Sequence, residues 1–143
     1  MRGVDYEGSD FMKKVQSDAF RIYNRWRNQK IYCPAFKQYV RFSLKGWHHI
    51  IGATGSKKRS YQDVYRRLKL LPHAKSITKQ STTIQNIVKR KSRTFFVLEA
   101  MVPVGEGNKI APRKVRVVFE EDQKGNKIFL SVMDKKRSKV PHA

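Results

Sequence analysis

Two adjacent histidines, His48 and His49, are the residues of this sequence best suited to acid–base chemistry, because an imidazole titrates near neutral pH. Basic residues flank the pair: Lys45, Lys57, Lys58 and Arg59. Cleavage of RNA without a metal needs a base for the ribose 2′-hydroxyl, an acid for the leaving oxygen and cations for the charged phosphorane. Histidine, lysine and arginine can supply all of these. Taken alone, either histidine could equally well pack in the core or contact phosphate without catalysis.

The charge of the chain predicts a polyanionic partner. Its 143 residues include 32 Lys and Arg against 11 Asp and Glu, a formal net charge of +21. Such self-repulsion disfavours a compact state and is relieved by a nucleic acid. A surface charged for solubility needs far less imbalance. No stretch is long and apolar enough to span a bilayer, so we expect no membrane partner. Asp63 is the only acid between Ala19 and Leu98, which centres the predicted footprint there.

Several classes of enzyme and site are excluded by the residues present. Cys33 is the only cysteine, which excludes an internal disulfide and a cysteine-based zinc cluster. The motifs of phosphate-binding loops, zinc proteases and serine hydrolases do not occur, and clustered carboxylates for a two-metal nuclease are scarce. We therefore expect no metal and no cofactor. The N-terminus lacks the pattern of a secretory signal, which predicts a cytoplasmic protein.

The N-terminal half predicts two helices and a short strand. Apolar residues recur at spacings of three and four from Asp10 to Lys30 and again from Ser60 to Leu71, where Pro72 should end the second helix. Between them, residues 39–43 alternate as in a strand, and Lys45 and Gly46 predict a turn.

The C-terminal half predicts a sheet, because β-branched and aromatic residues replace the helical spacing. The strands are expected at Thr83–Val88, Thr94–Val102, Lys114–Glu121 and Lys127–Met133. We therefore predict a single α+β domain in which the N-terminal helices pack on a twisted antiparallel sheet of about four strands. Residues 1–9 and 135–143 are expected to be flexible ends.

The last two strands should form a hairpin whose register follows from pairing Gln123 with Asn126. That register places Phe119 opposite Leu130 and Val117 opposite Val132, so that one face is wholly apolar. The other face would carry Arg116, Val118, Phe129 and Ser131. This second face is either a working surface or a half-solvated face without a role.

Three segments together resemble a known group of nucleases. They are the run 40–50, which contains Gly46-Trp47-His48-His49-Ile50, the helix segment 66–72 and the closing strand 127–132. The combination resembles the phage- and mobile-element-associated nucleases of the barnase, EndoU, colicin and RelE-like fold. In that group a strand, a basic residue and a His-Ile pair precede a helix, and the closing strands supply an Arg and a Ser or Thr.

The resemblance implies roles for particular residues. His49 takes the His-Ile position, with His48 as its substitute, Lys45 takes the preceding basic position and Ser131 the closing hydroxyl. The second basic position is filled by one of Arg59, Arg66 and Arg116. The implied function is a metal-independent endoribonuclease of the toxin or effector type that cleaves tRNA or mRNA, and some members are neutralised by a small acidic protein. A non-catalytic RNA- or DNA-binding protein and an inactive member of the fold remain alternatives.

Further residues are candidates for holding nucleic acid. The basic ones are Lys57, Lys58, Arg59, Arg67 and Lys69. Trp47 and Phe129 either stack on bases, as aromatic rings among cations commonly do, or belong to the core.

Overall fold

The structure, a computed structural model, describes residues 3–52, 59–105 and 107–134, with residues 3–9 as helix backbone only. Within those residues the chain forms three α-helices and two antiparallel sheets, which confirms the predicted α+β class. The elements are α1 (Gly3–Arg27), β1 (Ile31–Cys33), β2 (Gln38–Val40), α2 (Leu44–Ile51), α3 (Tyr61–Gln80), β3 (Asn86–Arg90), β4 (Arg93–Val104), β5 (Ala111–Glu121) and β6 (Lys127–Asp134).

The larger sheet has four strands in the order β3-β4-β5-β6, and β1 pairs with β2 as a separate ribbon. Its inner face carries residues such as Leu98, Val117 and Val132, which belong to one core with the buried residues of α1 and α3. Its second face carries the residues that alternate with these, among them Glu99 and Glu120. The helices therefore cover the apolar face, and most of the charge of the sheet lies on the other.

The hairpin of β5 and β6 forms as predicted, but its register changes part of the way along. Val117 pairs with Val132, as expected, whereas Phe119 pairs with Phe129 instead of Leu130. Leu130 is the extra residue of a β-bulge, so the residues before it, from Lys127 to Phe129, lie on the opposite side of the strand from the one that the predicted register gives. Phe129 consequently faces the core, where its ring stacks on Phe42 at 4.9 Å, and the prediction that it lies on the second face is wrong.

Two helices differ from the sequence prediction at their ends. Helix α1 begins at Gly3 rather than near Asp10 and ends at Arg27. Helix α3 continues past Pro72 to Gln80. The proline removes one backbone donor, but the following turns bury Ala74 and Ile77, and this burial offsets the loss.

Residues 44–51, in which a turn was predicted at Lys45 and Gly46, form helix α2 instead. Trp47 and Ile50 are three residues apart and both are buried, which is the spacing of a helix that packs on one side. Gly52 ends the helix in the left-handed conformation that favours glycine.

Helix α2 lies directly on β6 at Gly46. A Cβ atom at this position would be 2.5 Å from the Phe129 carbonyl oxygen and 2.9 Å from the Tyr23 hydroxyl. That hydroxyl donates a hydrogen bond of 2.6 Å to the carbonyl of Ser43, the residue before the helix. Tyr23 of α1 therefore holds the beginning of α2, and the missing side chain of Gly46 permits the close approach.

The outer edge of β6 is covered near its start. The Arg41 N–H donates to the Lys127 carbonyl at 3.0 Å, and the Phe129 N–H donates to the Arg41 carbonyl at 2.8 Å. The end of the β1-β2 ribbon thus continues into a short parallel bridge with the larger sheet.

Replacing Gly46 by alanine should destabilise the protein by about 2–3 kcal/mol, because the new Cβ meets backbone that cannot move aside. Urea unfolding followed by circular dichroism measures the loss. Gly125→Asn is the control, since open space surrounds Gly125 and asparagine tolerates its positive φ. Equal stabilities of Gly46→Ala and the wild type would contradict the close packing of α2 on β6.

Candidate functional site

The two histidines lie on different sides of α2. His49 is half-buried and follows Lys45 by four residues, so both lie on one face of the helix. His48 is exposed and lines a surface groove between α1 and α2, together with Phe20 and Leu44. The structure therefore brings only His49 together with the other predicted residues.

The Arg59 side chain caps the C-terminal end of α2. Its Nε donates to the His49 carbonyl at 2.9 Å, and its Nη2 lies 3.5 Å from the His49 Nδ1. The last carbonyls of a helix lack partners within the helix and carry partial negative charge, so a guanidinium is well placed there. Arg59 was predicted to bind phosphate, and the structure places it beside the imidazole.

The imidazole of His49 lies among positive charges. Burial lowers the pKa of His49 from its ordinary value of 6.5. Nearby cations lower this pKa further: Arg59, Arg67, Arg93 and Lys45. His49 is therefore uncharged at neutral pH and able to accept a proton.

Asp63 organises the arginines at the beginning of α3. The Asp63 N–H donates a hydrogen bond to the hydroxyl of Ser60, the N-cap residue of α3. The Asp63 carboxylate accepts hydrogen bonds from Arg59 at 2.9 Å, Arg66 at 2.9 Å and Arg67 at 3.1 Å. Burial alone would raise the pKa of Asp63, but the charges and hydrogen bonds of Arg67 and Arg59 lower it. One carboxylate thus holds three cations.

Glu120 has the same role on the second face of the sheet. Arg93 of β4 donates to both of its carboxylate oxygens at 2.8 Å, and the Lys45 Nζ lies 2.9 Å from its Oε1. Hydrogen bonding to Arg93, followed by that to Lys45, lowers the pKa of Glu120 to about 2. The Lys45 side chain therefore links α2 to strand β5 of the sheet.

Ser131 contacts an arginine instead of facing solvent. Only 1% of the residue is exposed, and its hydroxyl accepts a hydrogen bond of 2.6 Å from the Arg67 Nη1. The same nitrogen lies 3.4 Å from the Val132 carbonyl. The serine that the resemblance assigned as the closing hydroxyl, to position phosphate or to orient the histidine, therefore contacts Arg67, which is itself buried.

We call this group the His49 cluster: His49, Lys45, Arg59, Arg67 and Arg93, with the carboxylates of Asp63 and Glu120. Four cations share two carboxylates, and Asp63 also pairs with Arg66, so positive charge is in excess. The arrangement offers a neutral proton acceptor beside cations that could stabilise a phosphate. Within the described ranges, no group of three or more His, Cys, Asp or Glu side chains is placed to hold a metal ion.

The other predicted basic residues lie outside this cluster. Arg116 pairs with Glu99 at 2.6 Å, four residues and about 13 Å along β5 from Glu120. Arg66 lies at the edge of the cluster, where it contacts Asp63 and, at 3.6 Å, Asp134. Lys69 lies over the ring of Tyr65. Lys57 and Lys58 are outside the described residues.

Trp47 and Phe129 belong to the core. Both rings pack against Tyr23, at 5.7 and 6.0 Å between centroids, and both residues are buried. Neither can stack on a base in this fold, so the prediction that they bind nucleic acid is wrong. The helical state of residues 44–51 and the bulge in β6 turn these rings inward.

Sequence reasoning did not assign Asp63, Arg93 and Glu120 to the site. Asp63 carried a usable signal, because it is the only acid in a long basic stretch and lies four residues from both Arg59 and Arg67. Arg93 and Glu120 carried none, since their contact depends on the pairing of β4 with β5.

No family model, no curated protein and no solved structure matches this chain. In the described part of the chain, no helix combines the length and the apolar character needed to cross a membrane.

Replacing Glu120 by glutamine should reduce the stability at neutral pH by about 1–2 kcal/mol and flatten its dependence on acid pH. A carboxylate with a lowered pKa stabilises the fold above its unfolded pKa near 4.5, and this contribution is lost as the pH falls toward 2. Urea unfolding at several pH values measures the slope. Arg93→Gln, which removes the partner, should flatten the same range, and an unchanged slope in both variants would contradict the ion pair.

Proposed function

We propose that this protein is a metal-independent endoribonuclease in which His49 takes the proton from a ribose 2′-hydroxyl. The 2′-oxygen attacks the adjacent phosphorus, the bond from phosphorus to the 5′-oxygen breaks, and that oxygen leaves with a proton from water, which gives a 2′,3′-cyclic phosphate and a 5′-hydroxyl. The observation that carries the proposal is an imidazole kept uncharged by burial and by four surrounding cations. A base must be unprotonated at the working pH, and the reaction builds negative charge on the phosphate beside it. A neutral imidazole among cations meets both requirements.

The cations would act on the phosphate. Lys45 and Arg93 are about half exposed, whereas the side chain of their shared partner Glu120 is only 14% exposed. The exposed parts of the two cations could therefore contact a phosphodiester or phosphorane while Glu120 holds them in place. Arg59 and Arg67 are held more firmly by Asp63 and would stabilise the charge from fixed positions.

The substrate class and setting rest on the resemblance to the nucleases of the barnase, EndoU, colicin and RelE-like fold. On that basis we propose that the protein belongs to a phage or mobile element, acts in the cytoplasm as a toxin or effector and cleaves tRNA or mRNA. The large positive charge supports an acidic protein as its antidote, since such a protein could cover the same surface.

A second candidate function is a non-catalytic RNA- or DNA-binding module. The observation that favours it is that each cation of the His49 cluster already has a carboxylate partner, while the Ser131 hydroxyl is occupied by Arg67. Such a module would bind the phosphate backbone and would not use His49 as a proton acceptor. An assay for RNA cleavage distinguishes the two candidates.

Purified protein should cleave total RNA or tRNA in the presence of EDTA, and His49→Ala should lower the rate by at least about 100-fold, the usual contribution of a general base. His48→Ala is the matched control, because it removes the neighbouring imidazole, which lies on a different side of α2, and should leave the rate within about threefold. Gel analysis of labelled RNA measures the rates.

Two results would contradict the proposal, the first the ribonuclease activity and the second the role of His49. Binding of RNA without any cleavage would favour the non-catalytic module. Cleavage that persists in His49→Ala but disappears in His48→Ala would identify His48, not His49, as the catalytic histidine.

The pH dependence of cleavage follows from the lowered pKa of His49. The neutral base is the active form, so the midpoint of the acid-side decline of kcat/KM should lie below the ordinary histidine value of 6.5. Arg93→Gln removes one of the charges that lower this pKa and should move the midpoint to higher pH. A midpoint above 6.5 in the wild type, or one that does not move in Arg93→Gln, would exclude His49 as the base.

A further inference from the structure

Two tyrosines lie side by side on the outer surface of the β1-β2 ribbon. Tyr32 and Tyr39 are directly opposite in the register, with ring centroids 5.4 Å apart and planes at 75°. Their neighbours Ile31, Cys33 and Val40 point the other way and are buried. The tyrosines themselves are 45% and 58% exposed, so they contribute little to the core. We call this pair the tyrosine ridge.

A basic groove lies on each side of the tyrosine ridge. The groove beside Tyr32 has a volume of about 510 Å³, and its cations are Lys30, Lys75 and Lys79. The groove beside Tyr39 has a volume of about 580 Å³, and its cations are Arg27, Lys30 and Arg41. No carboxylate is among the described residues that line either groove.

This combination differs from the His49 cluster in its electrostatics. There, the cations share Asp63 and Glu120, whereas here the lining residues other than the cations are polar or apolar. Arg41 has a carboxylate nearby, that of Asp122, but it does not line the groove. Exposed aromatic rings between cations are how proteins hold unpaired nucleotides, because bases stack on the rings while phosphates follow the charges.

We propose that the tyrosine ridge and its two grooves form a binding site for single-stranded RNA, separate from the His49 cluster. A strand would cross the ridge with its bases against Tyr32 and Tyr39 and its phosphates in the grooves on either side. A duplex cannot use the rings in this way, because its bases are stacked on each other. The site therefore selects unpaired RNA.

The position of the ridge relates it to the proposed activity. The groove beside Tyr39 extends to Phe42 and Ser43, and Ser43 directly precedes the helix that carries Lys45 and His49. A strand held on the ridge would thus lead toward α2. The choice of RNA over single-stranded DNA rests on the proposed function, but binding to the ridge does not require cleavage.

The test uses fluorescence anisotropy with a labelled oligouridine about 12 nucleotides long, a length within the site sizes of proteins that stack single strands. Its 2′-O-methyl groups prevent cleavage, so binding is measured whether or not the protein is a nuclease. Tyr32→Ala/Tyr39→Ala should raise the Kd roughly 10-fold or more. Tyr32→Phe/Tyr39→Phe keeps the rings and should stay within about twofold.

Two further variants control for charge and for exposed surface. Lys30→Gln/Lys79→Gln should weaken binding and lower the slope of log Kd against log salt by about 1.4, because two phosphate contacts are lost. Ile87→Ala/Ile110→Ala removes two exposed apolar side chains elsewhere and should leave the Kd unchanged. Circular dichroism checks that each variant is folded.

The proposal is overturned if the double alanine variant binds the oligouridine as the wild type does, or if it loses affinity for a matched duplex by the same factor. It is also overturned if the alanine variant loses binding only to vesicles of phosphatidylcholine and phosphatidylserine, which would make the ridge a membrane contact. Failure of the ribonuclease gives a different pattern: the oligouridine still binds through the tyrosines, but natural RNA is not cleaved.

Discussion

The site depends on one constraint, the close packing of α2 on β6 at Gly46. A helix of eight residues is too short to be stable alone, so it forms because Trp47 and Ile50 reach the core and because Tyr23 holds the carbonyl before it. The close contact of Gly46 with the Phe129 backbone sets the distance from helix to strand. Lys45 and His49 then lie one helical turn apart, beside the end of the sheet.

The second requirement is electrostatic, since the cations around His49 would repel one another without a counter-charge. Asp63 and Glu120 supply it from two different elements, one at the start of α3 and the other on β5. Glu120 fixes the Arg93 guanidinium by paired hydrogen bonds, which give direction as well as charge. Asp63 accepts one hydrogen bond from each of three arginines. The cluster is therefore preorganised, and its residual positive charge remains available to an anion.

Sequence reasoning found most of the sheet and part of the site. Strands β4 to β6 were placed within a few residues, because β-branched and aromatic residues are concentrated in these segments. Helix α2 was missed, since eight residues containing a glycine and two isoleucines show no helical preference without the core beneath them. His49 and Lys45 could be selected by residue type. The partners of Lys45 and the inward turn of Phe129 could not, because they depend on strand pairing and on a bulge.

The parallel bridge at Arg41 has a consequence for assembly. It covers the first residues of β6, and Arg67 reaches the same strand further along, so backbone groups on that side already have partners. In the part of the chain that the structure describes, β3 pairs only with β4, which leaves its other side free for a further strand. Lys89 and Arg90 on this short strand repel an approaching copy of the same basic chain. Within the residues 3–52, 59–105 and 107–134, the outer side of β3 is therefore the side from which the sheet could be extended, and self-association by strand addition is electrostatically disfavoured there.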